Sequence, residues 1–126
     1  MPASVSVPVL KHRQYLIATI QSALSDAGVL ALRDDLVEKV GRLRSRGIVI
    51  DVAALDVIDS FVARSLQTIA LTARLRGAET VIVGIQPDVA VAMVQFQLDL
   101  EPVHTALDLE EGFEVLDRLV KNAHDR

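Results

Sequence analysis

The 126-residue chain has no cysteine. That excludes a disulfide, a thiolate nucleophile and a zinc–thiolate site. Tryptophan is also absent, and one tyrosine and three phenylalanines are the only aromatics, too few to build a platform for stacking bases. Thirteen Lys and Arg face seventeen Asp and Glu, a formal net charge of -4, so there is no cationic footprint for DNA or RNA. No apolar run approaches the roughly 18 residues of a membrane span. The start, MPASVSVPVL, lacks the basic stretch and apolar run of a signal peptide. The cytoplasm is therefore the expected compartment. The three histidines, His12, His104 and His124, share no metal-ligand spacing, and no metal or cofactor is expected.

Aliphatic residues are what the chain has in quantity. Half of it is apolar, enough for a buried core, and its length suits one domain over 1–126, with frayed ends near 1–4 and 121–126. Ser4–Leu10 and Tyr15–Ile20 read as two strands of a hairpin, joined by a polar turn at Lys11–Gln14. Gln21–Gly28 reads as a loop. From Val29, the spacing of Leu32, Leu36, Val40 and Leu43 predicts a helix that Gly47 ends. GIVIDV is apolar without alternation, the pattern of a strand buried on both faces. A second helix is expected over Ser60–Arg76, with Val62, Leu66, Ile69 and Ala73 inward. AETVIVG predicts another buried strand. Pro87 suits the first turn of a third helix, carrying Val89, Met93, Val94 and Phe96. VHTA reads as a short last strand. Asp108 and Glu111 form a capping box before a helix with Phe113, Leu116, Leu119 and Val120 on one side. This order predicts an α/β fold: a mostly parallel central sheet with an N-terminal antiparallel hairpin and about four helices.

Parallel sheets bind ligands beyond the carboxyl ends of their strands. Here that edge holds DVAALDVIDSF, with Ser60 at the start of the second helix. One reading makes Ser60 a helix cap. The other makes it an exposed phosphoacceptor, where a phosphate would face free N–H groups and the positive end of the helix dipole. A serine-hydrolase role lacks the GxSxG elbow. Asp51, Asp56 and Asp59 fit loop shaping better than a magnesium site. Gly84 and Gln86, in the turn GIQP, contribute to the same surface, and no glycine series there supports a nucleotide site. The spacing of Phe96, Leu98 and Leu100 fits either core or a self-association face.

The runs IVIDVAALDVIDSF, ARLRGAETVIVGIQPDVAVAMV and TALDLEEGFEVL resemble the STAS domain of sulfate transporters and anti-sigma-factor antagonists, and within it the free-standing RsbS type of the bacterial stressosome. The resemblance extends from about Pro8 to Leu119. It implies a non-enzymatic, cytoplasmic scaffold for the general stress response, without nucleic-acid or membrane partners. Its Ser60 would be phosphorylated by an RsbT-type switch kinase. The scaffold would assemble in large complexes with RsbR-type paralogues, hold the kinase while unphosphorylated, and release it afterwards. RsbR-type proteins usually carry a Thr at this position and a sensory domain in addition, so Ser60 and the short chain favour the RsbS type. An anti-sigma-factor antagonist controlled at the same Ser, and a STAS interaction module without phosphorylation, are the alternatives.

Overall fold

The computed structural model describes residues 7–124. Its elements are β1 (Val9–His12), β2 (Tyr15–Thr19), α1 (Asp26–Leu43), β3 (Gly47–Asp51), α2 (Ser60–Leu75), β4 (Glu79–Val83), α3 (Pro87–Gln95), β5 (His104–Ala106) and α4 (Leu109–His124). The five strands form one sheet in sequence order. β1 pairs antiparallel with β2 and every later pairing is parallel. The expected α/β class, the hairpin and the four helices are all present.

The sheet is covered on both faces. Ile48 and Ile50 of β3 belong to a core that also takes Leu36, Leu66 and Val89, from α1, α2 and α3. Val49, between them, points the other way into a smaller cluster with Tyr15, Val81 and Leu116. Successive side chains of a strand alternate faces, so the stretch of a strand that is buried on both sides must be apolar without alternation, as Ile48, Val49 and Ile50 are. Three crossovers of the same hand place α1, α2 and α3 on one face. α4 covers the other.

Three local expectations need correction. The first strand is Val9–His12, not Ser4–Leu10. Lys11 and His12, expected in the turn, pair with Leu16 and Tyr15, because exposed polar side chains are tolerated on an edge strand. Residues 4–6 lie outside the described range. The first helix starts at Asp26 rather than Val29, because the Ser25 side chain accepts from the Gly28 N–H and caps it three residues earlier. Its end is not set by Gly47. Arg44 makes the turn at φ 52° and ψ 44°, with its N–H donating to the Val40 carbonyl, and Gly47 opens β3. On α3 and the segment after it, which the spacing left open between core and surface, Val94 and Phe96 are exposed, Val89, Met93 and Leu100 are buried and Leu98 is half-buried. The expected capping box forms in one half, with the return bond shifted one residue to Leu107. Asp108 accepts from the Glu111 N–H at 2.9 Å, and Glu111 accepts from the Leu107 N–H at 3.2 Å.

One polar contact ties α4 to the sheet. The Tyr15 hydroxyl donates to Asp117. Burial, reinforced by that hydrogen bond, pushes the Tyr15 phenol up from 10.0 to about 12. A folded pKa above the unfolded one favours the neutral phenol in the native state. The contribution is complete below pH 10 and is lost as pH rises through 10 toward 12. Chemical denaturation across that window should show falling stability in the native chain, and a flatter curve for Tyr15→Phe.

Candidate functional site

The loop from Val52 to Asp59 crosses the carboxyl edge of the sheet, between β3 and α2. Leu55 and Ile58 anchor it by turning into the core, each 5% exposed. Asp51 accepts from the Ala53 N–H at 2.9 Å. The Gln86 side-chain amide donates to the Ala53 carbonyl at 2.8 Å, which joins the β4–α3 turn to the loop. Gly84 lies between them at φ +81°, and a Cβ there would meet the Ala53 Cβ at 3.0 Å and the Asp51 Oδ1 at 3.2 Å. Only glycine combines that backbone with that closeness. Asp51, Gly84 and Gln86 therefore shape one rigid surface.

Asp59, not Ser60, caps α2. Its carboxylate accepts from the Val62 N–H at 2.8 Å, while its backbone is extended at φ -85° and ψ 177°. Ser60 is the first helical residue and is exposed, and among the described residues no hydrogen bond engages its hydroxyl. A carboxylate at the cap satisfies an orphan amide and adds a favourable charge at the dipole's positive end. This leaves the neighbouring hydroxyl free. The sequence allowed Ser60 to be a cap, and the structure removes that role. Asp59→Ala should cost about 1 kcal/mol, whereas Ser60→Ala should stay within about 0.5 kcal/mol of the native chain. Urea midpoints of the two variants test the assignment, and the reverse order would return the cap to Ser60.

Asp56 and Asp59 are exposed beside Ser60, as is Val57 at 70%. Asp51, Asp56 and Asp59 do not converge. Among the described residues no three His, Cys, Asp or Glu side chains are grouped to hold a metal ion. His12 packs its ring against Phe113, and His104 Nε2 lies 3.5 Å from Glu79, so neither is engaged with Ser60. The sequence reading missed the anchors Leu55 and Ile58 and the exposed Val57. Their alternation within a loop carries no period that marks which side chains turn inward.

The STAS domain model matches residues 6–112. The chain belongs to the STAS domain family. This STAS domain is similar to a Ser-to-Glu variant of RsbS from Moorella thermoacetica, at 36% identity over 91% of this chain and 97% of that one, with a TM-score of 0.77. It is also similar to a chain in a structure described as the molecular architecture of the stressosome, a signal integration and transduction hub. There the identity is 34% over 90% of this chain and 98% of that one, with a TM-score of 0.71. The RsbT co-antagonist protein RsbRA of Bacillus subtilis is 30% identical over 83 residues, which are 66% of this chain and 30% of that protein. The STAS domain thus spans under a third of that relative's length. It is a non-enzymatic signalling and scaffold domain related to the RsbS and RsbR proteins. No helix among the described residues is long and apolar enough to cross a membrane.

Proposed function

We propose that this STAS domain is a cytoplasmic scaffold of the stressosome type, which retains an RsbT-type switch kinase at the Ser60 surface and releases it when Ser60 is phosphorylated. The observation that carries the reading is the free, exposed Ser60 hydroxyl next to a cap supplied by Asp59. The near full-length similarity to RsbS supports the choice of kinase and of RsbR-type paralogues as assembly partners. So does the name of the relative RsbRA, an RsbT co-antagonist.

The chemistry is a transfer of the γ-phosphoryl group of ATP to the Ser60 oxygen. The O–H proton leaves to solvent or base and ADP departs. The product carries close to two added charges. The first-turn amides and dipole of α2 accommodate them, so the fold is retained. A partner packed over Val57 and Ser60 must desolvate them beside two carboxylates, Asp56 and Asp59, and loses affinity.

Intact mass after incubation with the kinase and Mg-ATP tests the reading. One phosphate is expected on the native chain and none on Ser60→Ala. An unmodified native chain, with a kinase active on another substrate, would refute the phosphoswitch.

A further inference from the structure

Protein interiors hold few voids larger than a water molecule. A cavity of about 100 Å³ lies here between the β2–α1 loop, α1, the loop from Val52 to Asp59 and α2. Among the described residues, every one that lines it is apolar except Asp59. Val29, Leu32, Leu55 and Leu66 form its buried floor, whereas Ala23, Val57 and Asp59 are exposed, so it opens beside them. The walls therefore include two residues that flank the Ser60 surface.

Size and polarity define what fits. An unfilled apolar hollow costs its walls the contacts that a filling group would supply. A cavity of roughly 150 Å³ with such walls stays dry and binds benzene. Two thirds of that volume suits a chain of about four carbons. Asp59 sets the polar end. Its Oδ1 accepts from the Val62 N–H at 2.8 Å, and a carboxylate keeps further lone pairs, so it can accept one more hydrogen bond at the mouth. An anion there would be repelled by Asp59 and its neighbour Asp56. A cation would face the positive end of the α2 dipole and lose hydration against apolar walls. A neutral hydroxyl meets neither penalty.

We propose that this cavity binds a short uncharged alcohol, its hydrocarbon chain between the side chains of α1 and α2 and its hydroxyl donating to Asp59. The site stands whether or not a kinase docks. Where one does, the occupant matters to it: bound alcohol ties α1 to the loop that carries Val57 and Asp59, and so holds the surface around Ser60 in one arrangement.

Amide shifts of the isotopically labelled full chain, followed by NMR as alcohol is added, test this. Ethanol, n-propanol and n-butanol should give saturable shifts centred on the amides of Leu24, Val57 and Val62, with affinity rising about fourfold per added methylene. n-Hexanol should fall below that trend, because the hollow is already full. Leu55→Ala enlarges the hollow and should bring n-hexanol back to the trend. Val29→Phe fills it and should abolish the saturable shifts, with circular dichroism confirming the fold. If Val29→Phe does not fold, the Leu55→Ala comparison decides. Methyl propyl ether has the heavy atoms of n-butanol without the donor and should bind about fivefold more weakly. Linear shifts spread over the surface, saturation centred elsewhere, a folded Val29→Phe chain that binds like the native one, or an ether equal to n-butanol would overturn the proposal. So would amides that ignore alcohol and shift only with the kinase, which would give the cavity to a partner's side chain. Whether Ser60 is phosphorylated is read separately, by intact mass.

Discussion

A Ser60→Asp chain is expected to hold an RsbT-type kinase about tenfold more weakly than the native chain, a difference of about 1.4 kcal/mol, while Ser60→Ala should hold it as tightly. The reason is local. Ser60 is exposed at the first position of α2 and Asp59 supplies the cap, so neither substitution removes a hydrogen bond from the fold. What changes is the surface under the partner. One carboxylate adds a single charge next to Asp56 and Asp59, and that charge must be desolvated when the partner covers it. A phosphate adds nearly two charges and three acceptor oxygens, so the phosphorylated native chain should bind more weakly than Ser60→Asp. Calorimetric titration of the kinase into each folded chain measures the order. Equal affinity for all four forms would mean that the kinase contact lies elsewhere.

Leu116→Ala should destabilise the domain by about 3 kcal/mol, within the range measured for buried leucines. Leu116 is fully buried among Tyr15, Val49, Val81 and Val83. Among the described residues it belongs to the single helix on that face of the sheet, so no second helix closes the cavity. Gly112, one turn earlier, holds α4 close: a Cβ there would stand 2.7 Å from the Val83 Cγ1. The backbone is already in near contact, which limits collapse around a missing side chain. Total stability for a domain is about 5–15 kcal/mol, so the loss is a large share and should lower the melting temperature by roughly 10 °C. A shift of under about 2 °C would show that α4 contributes little to the native core.

The alignment of several local signals explains why so much of the fold was legible. Ile48–Ile50 of β3 and Val81–Val83 of β4 are apolar without alternation because both faces are covered. Pro87 marks the start of α3, and Asp108 with Glu111 marks that of α4. Errors fell where one side chain could play two parts. Ser25 looked like loop until its hydroxyl was seen to cap α1. Arg44 took the left-handed turn that a glycine was expected to supply, since the Val40 carbonyl bond and the turn into β3 outweigh its strain.

By itself the sequence determined the α/β class, the antiparallel opening hairpin and the family resemblance, and it set Ser60 at a helix start, because periodicity and turn chemistry are local properties of the chain. Tertiary structure decided the rest. It gave the cap to Asp59 and left the Ser60 hydroxyl free. It joined the Gln86 amide to the Ala53 carbonyl, 33 residues away. It walled an apolar cavity with side chains from α1, α2 and the loop that carries Val57 and Asp59. The cap is a local choice between neighbouring residues, three positions from the amide it satisfies, whereas the other two join segments distant in sequence and are fixed only when crossovers of one hand bring the strands into register.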